Sequence, residues 1–250
     1  MLLDERTEYA DWQIPDSLPK QQMMMRSLLN VRPPHPVDDD FLKAQDTELQ
    51  RQLADKGVVA LSDIAQCSKD GRLRLWQGDI TRLQVDAIVN AANSALLGCF
   101  VPMHRCIDNA IHSAAGIQLR LACERLMQGQ GHSEPTGQAK ITDGYNLPAR
   151  YVLHTVGPIV RNAEPTHRQE RELEDCYNSC LALADVHGLQ SIAFCCISTG
   201  EFGFPQRRAA EIAVRTVRKY LDTTANTHID TIIFNVFKDE DLSIYKELLS

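Results

Sequence analysis

"VDAIVNAANSALLGC", residues 85–99, is the stretch on which the fold turns. From Ala87 to Ala92 it is apolar at successive positions, interrupted only by Asn90, and a strand of that kind must be covered on both faces. Three more runs share this character: "RYVLHTVGPIV" (150–160), "SIAFCCIST" (191–199) and "IDTIIFNVF" (229–237). A fifth, "GRLRLWQGDI" (71–80), alternates Leu73, Leu75 and later Ile80 with polar residues. Between these runs the spacing predicts helices over 107–129, 167–187, 205–221 (with Pro205 at a first-turn position) and 240–249. Buried strands alternating with helices predict an α/β sandwich, a mixed or largely parallel sheet between helical layers. In such folds ligands bind beyond the carboxyl ends of the strands.

Upstream the character differs. "DSLPKQQMMMRSLLNVR" (16–32) and "DFLKAQDTELQRQLADKGVV" (40–59) read as helices separated by the proline-rich break "PPHPVDDD". The expected organisation is a helical extension over 1–70 docked on a domain over 71–250.

Composition narrows the function. With 44% hydrophobic and 24% charged residues, the 250-residue chain has an ordinary globular balance. A net charge of −7 provides no basic field for a phosphate backbone, which argues against nucleic acid. The opening "MLLDERTEYADWQ" has no cationic start followed by an apolar stretch, and no run reaches membrane-spanning length, so cytoplasm is the expected compartment. Eight cysteines are too few for a disulfide scaffold in a chain of this size. Most lie in apolar surroundings and read as reduced core residues, including Cys176 and Cys180, four apart on a predicted helix. His154, inside an apolar run, reads as a hydrogen-bonded core histidine.

Two loops carry chemistry. In "GCFVPMHRC" (98–106), Cys99, His104 and Cys106 place three good metal ligands in one short window. Zinc takes thiolate and imidazole tetrahedrally, and three protein ligands leave one position open. His112 and Asp108 are candidates for a fourth ligand. The spacing is not a standard finger pattern, which leaves a metal-free loop as the alternative. The second loop, "STGEFG" (198–203), joins a strand to a helix and can present backbone N–H groups to an anion. It has neither the lysine of a P-loop nor a G-x-G-x-x-G pattern. Phe202 and Phe204 can stack on a ribose or pack the helix down. Asn90 and Asn93, at a strand terminus, can contact sugar hydroxyls or form turns.

"GDITRLQVDAIVNAANSALLG", "CIDNAIHSAAG", "TGQAKITDGYNLPARYVLHTVGP" and "ISTGEFGFP", in that order, resemble the macrodomain family, which binds ADP-ribose. The Cys–His–Cys insert, standing where other hydrolytic macrodomains have a run of glycines, resembles that of the zinc-dependent microbial macrodomains that remove ADP-ribose from proteins. Those also carry a helical N-terminal extension. The resemblance implies a three-layer α/β/α fold and zinc held by Cys99, His104 and Cys106. It implies that Asp79 accepts from the adenine amino group beside the Ile80 N–H, and that Asn93 meets the distal ribose. Ser198, Thr199, Gly200, Glu201 and Phe202 would cradle the pyrophosphate, and Cys106, Ile107 and Asp108 would complete the anion site. Asp108 falls where hydrolytic macrodomains carry a catalytic aspartate, with Asn93 beside it. The implied reaction is removal of mono-ADP-ribose from an acidic side chain, aspartate first, with a lipoyl-carrier protein as a candidate substrate. A non-catalytic ADP-ribose reader is the alternative.

Overall fold

The structure, a computed structural model, describes residues 2–3, 9, 11–162 and 164–250. Most of the opening decapeptide, read above as lacking a leader sequence, lies outside the described residues. The N-terminal part contains α1 (Leu18–Val31) and α2 (Asp39–Lys56), followed by the two-residue strand β1 (Val59–Ala60). Pro19 sits in the first turn of α1, where its missing N–H costs nothing, and Pro33 and Pro34 follow its end. Asp38 caps α2 by accepting from the Phe41 N–H at 2.7 Å, and Gly57, at φ 77°, ends it.

The remaining elements are β2 (Leu73–Gln77), β3 (Leu83–Gln84), β4 (Ala87–Ala91), α3 (Ile107–Ala115), α4 (Ile117–Gln130), β5 (Ala139–Asp143), β6 (Tyr151–Thr155), α5 (His167–Val186), β7 (Ser191–Phe194), α6 (Gln206–Thr223), β8 (Thr231–Val236) and α7 (Asp239–Leu249). Six strands form one sheet in the order β2-β8-β7-β4-β6-β5, parallel throughout except for β5, which runs antiparallel to β6 at the edge. Helices α5, α6 and α7 pack side by side, while α3 packs on α4 and receives α1. Every residue of β7 and β8 is buried, as their continuous apolar sequence requires. The short β1 pairs parallel with β3, and Ile64 enters the main core, so residues 59–67 are stitched to the sheet domain.

The helix predicted over 107–129 is two helices. Gly116, at φ 92°, ends α3 and begins α4. A Cβ there would lie 2.6 Å from Gln45 Nε2, and Gln45 reaches in from α2 to accept from the Ile117 N–H at 3.0 Å. A residue of the extension therefore caps a helix of the domain.

Asp86, just before β4, ties neighbouring strands together. Its Oδ2 accepts from the Gln190 and Ser191 N–H groups and from the Ser191 hydroxyl at 2.9, 3.0 and 3.1 Å, and its Oδ1 pairs with Arg150 at 3.0 Å. Burial works to raise its pKa, but these donors outweigh that and hold the carboxyl below its usual range. Its stabilising contribution is therefore full above the unfolded carboxyl pKa and disappears as pH falls through the lower folded value. Asp86→Ala leaves those donors without their acceptor and is expected to cost about 2 kcal/mol. Thermal denaturation at neutral pH should show a midpoint lowered by roughly 4–8 °C, with the gap from wild type narrowing in acid.

Candidate active site

Strand β4 connects onward to the β6 side of the sheet and β7 to the β8 side, so the carboxyl ends of these neighbours form a topological switch point. Asn90 ends up inside this junction. Fully buried, it donates through Nδ2 to Asp108 Oδ1 at 2.8 Å and lies 3.2 Å from His154 Nδ1. Asn93, beyond the strand, donates to Asp108 Oδ2 at 3.2 Å and to the Gly98 carbonyl at 3.1 Å. The Asp108 carboxyl, at the start of α3, is thus gripped on both oxygens by strand-end amides. Burial pushes its pKa up to about 6, against the opposing pull of the Asn90 hydrogen bond and the Arg120 charge.

Directly after the Gly98 carbonyl comes the loop with the three predicted metal ligands. Cys99 Sγ, His104 Nδ1 and Cys106 Sγ are brought together: one ligand atom from each residue lies within 4.8 Å of the others. Cys99 Sγ to His104 Nδ1 is 3.6 Å. Tetrahedral zinc, with bonds of about 2.3 Å to sulfur and about 2.0 Å to nitrogen, would separate these two donors by about 3.5 Å, close to the distance seen. The donor set and spacing fit zinc. Burial, reinforced by Cys99 and Asp108, pushes the Cys106 thiol up to about 12. A thiolate at Cys106 would therefore need a cation beside it. On its other side His104 Nε2 faces Glu201 Oε1 at 3.6 Å. The Glu201 carboxylate is thus turned toward the metal-ligand loop, leaving its backbone to the anion loop.

The loop is held in an uncommon conformation. Met103, adjacent to His104, has φ 56°, a left-handed geometry that costs a non-glycine residue about 1–2 kcal/mol. Gly98, at φ 81°, lies flat on the His112 ring, where a Cβ would approach Cγ to 2.8 Å.

The anion loop has a similar turn. Ser198 adopts φ 64°, and Gly203, at φ 68°, sits so close to the Val160 carbonyl that a Cβ would lie 2.6 Å from its oxygen. Among the described residues, nothing accepts from the N–H groups of Gly200, Glu201 and Phe202, nor from those of Ile107 and Asp108 at the start of α3. These are donors available to an anion. Thr199 bonds back to the Cys196 carbonyl at 3.1 Å. Phe204 is buried in the core, and Phe202 remains partly exposed at the loop rim. Asp79 caps its own turn through Oδ1, accepting from the Thr81 N–H and hydroxyl at 3.1 and 2.6 Å, while Oδ2 lies 3.6 Å from Lys56 Nζ. Ile80 is buried beside it, and the turn they begin packs against α3.

The family model described as Macro domain matches residues 89–213, from within β4 to within α6, the helix after the anion loop. A protein-ADP-ribose hydrolase of Treponema medium is 50% identical over 251 residues, covering 100% of this chain and 95% of its own. The chain belongs to the macrodomain family. A Staphylococcus aureus protein of the same name is 50% identical over 243 residues, covering 97% of this chain and 90% of its own. Among solved structures, a Trypanosoma brucei macrodomain in complex with ADP-ribose superposes with a TM-score of 0.70 at 30% identity, covering 90% of this chain and 95% of that one. An Oceanobacillus iheyensis macrodomain with ADP gives 0.64 at 38% identity, covering 74% and 93%. The sheet order and flanking helices described above are the macrodomain fold.

Within this macrodomain, the structure distinguishes two residues whose roles the sequence left open. Asn90 faces inward to Asp108 and His154, so it is a support for the carboxylate and not a sugar contact. His112, weighed as a fourth metal ligand, belongs instead to a separate buried group with Cys123 and His154, whose ligand atoms lie within 4.8 Å of one another. Burial pushes His154 down to about 4, His112 well below its usual value, and the Cys123 thiol up to about 12. All three are therefore neutral at physiological pH. His154 lies 2.9 Å from the Thr142 hydroxyl, so both of its ring nitrogens have partners. The residues that support the metal-ligand loop from the extension, Arg26 and Asn30, had no signal in the sequence beyond a place on a predicted helix.

Proposed function

We infer that this macrodomain is a hydrolase that removes ADP-ribose from modified proteins, using zinc held by Cys99, His104 and Cys106. The observation that carries this reading is the placement of three soft donors at zinc spacing next to a doubly held carboxylate, all at the carboxyl end of β4. A protein that only recognised ADP-ribose would need neither.

The chain's own groups divide the work. The N–H groups of Gly200, Glu201 and Phe202, with those of Ile107 and Asp108, bind the pyrophosphate. Asp79 and Ile80 take the adenine, Asp79 through the oxygen not used to cap its turn. Asn93 and the backbone beside Cys106 orient the distal ribose. Asp108 accepts a proton from water as the water oxygen bonds to the anomeric carbon. The bond from that carbon to the side-chain oxygen breaks, and the protein's carboxylate departs with the bonding pair. When bound, zinc held by two thiolates and one imidazole supplies an open coordination position and orientation more than Lewis acidity, because the thiolates cancel its formal charge. Aspartate esters are the favoured linkage, since a carboxylate leaves without needing a proton. We place the activity in the cytoplasm, where free cysteines stay reduced, and a lipoyl-carrier protein is the candidate substrate.

Metal analysis paired with a hydrolysis assay tests this. Purified protein should carry about one zinc per chain and cleave aspartate-linked but not arginine-linked ADP-ribose. Removing the metal with a chelator should slow cleavage by at least about 100-fold, and added zinc should restore it. Binding of ADP-ribose with no cleavage of either substrate would point to the reader instead.

A further inference from the structure

Helix α1 lies outside the stretch matched by the family model, yet two of its residues reach the metal-ligand loop. Arg26 and Asn30 are four positions apart and so share one face of the helix. Asn30, only 1% exposed, accepts from the Met103 N–H through Oδ1 at 3.0 Å and donates to the Ser113 hydroxyl at 2.9 Å. Arg26 Nη2 donates to the His104 carbonyl at 3.2 Å and to Asn109 Oδ1 at 2.8 Å. Asn109 in turn donates to the carbonyls of Cys99 and Val101 at 3.3 and 3.0 Å. Within the loop itself, the hydrogen bond from the His104 N–H to the Val101 carbonyl, at 3.2 Å, spans the left-handed Met103. The conformation that aims the His104 ring is therefore maintained mainly from outside, by α1 directly and through Asn109.

We propose that α1 is a working part of the metal centre, with Arg26 and Asn30 as positioning residues that hold His104 in ligating geometry. This rests on the zinc reading above. It gives one physical reason for two features of the chain: a loop that must keep an unfavourable turn, and an appended helix that holds it there. Supporting residues of this kind change metal affinity by about 10–100-fold in other sites.

The test uses the full-length protein, with zinc affinity measured by competition against a chromogenic chelator. ADP, which lacks the distal ribose, serves as the control ligand in calorimetry. Asn30→Ala and Arg26→Ala should each weaken zinc binding by at least tenfold while ADP affinity stays within twofold. Arg26 is only partly buried, so its variant gives an independent answer if Asn30→Ala fails to fold. Adding Met103→Gly to Asn30→Ala should recover severalfold in zinc affinity, because glycine adopts the left-handed turn unaided. General destabilisation would not be rescued in this way. Wild-type zinc affinity in both single variants overturns the proposal, and absence of rescue removes Asn30 from control of the turn. If the wild-type protein takes up no zinc, the failure lies with the zinc reading itself.

Discussion

His104→Ala is expected to lose zinc and, with it, about 1,000-fold in hydrolysis of an aspartate-linked substrate. His104 supplies the only nitrogen donor in the group, and its Nδ1 stands 3.6 Å from Cys99 Sγ. Without it, two thiolates must hold the ion from positions in a loop with little internal support. Metal centres of this class contribute several kcal/mol to the transition state, and about 4 kcal/mol corresponds to the stated factor. ADP affinity should change less than twofold, because the proposed adenine and pyrophosphate contacts lie on Asp79, Ile80, residues 198–202 and the backbone of Ile107 and Asp108, not on the His104 side chain. The pair with the largely exposed Glu201 side chain adds little. Zinc per chain by elemental analysis, turnover and ADP calorimetry on one preparation settle the matter. A metal-free variant with undiminished turnover would remove zinc from the mechanism.

Asp108→Asn comes second in size and separates the carboxylate from the metal. The substitution keeps the shape of the side chain and can still accept the Asn90 amide through its remaining oxygen, while the contact with Asn93 is lost. Loss of a positioned general base costs 100- to 10,000-fold, so kcat should fall within that range. KM should stay within a few fold, and zinc content should not change. Because Asp108 is buried, with neighbours already arranged to receive its carboxyl, Asp108→Ala is a poorer probe: it would orphan two amide donors and confound chemistry with folding. Unchanged turnover in Asp108→Asn would assign proton removal to another group.

Different parts of this protein were legible to different degrees, for identifiable reasons. The strands β4, β6, β7 and β8 could be read because burial on both faces keeps their sequences largely apolar, with only a few hydrogen-bonded polar residues such as Asn90 and His154. The three candidate metal ligands could be picked out because they all lie in one loop, so no knowledge of distant packing was needed to bring them together. The edge strand β5, "AKITD", is mostly half-buried and mixed in polarity, which removes the apolar run that marks its neighbours. The break at Gly116 was hidden because helical spacing continues through it, and the group that occupies the gap, Gln45, comes from a helix far away in sequence. Asn90 and Asn93 look alike in sequence. They differ only because one lies in the strand under α3 and the other beyond its end, and this decides that Asn90 supports the carboxylate while Asn93 remains the candidate sugar contact.

The edge strand β2 has β8 as its neighbour in the sheet, register running from Leu73 with Ile232 to Gln77 with Val236. During synthesis, the ribosome therefore releases the first strand of the domain long before its partner exists. Until then a strand with one apolar face waits with an unsatisfied ladder, the type of non-local closure that slows folding and invites self-association. Assembly of the turn at Asp79, which follows directly on β2, is consequently among the last events in maturation, and nascent chains ending before Thr231 should depend on chaperones to stay dispersed.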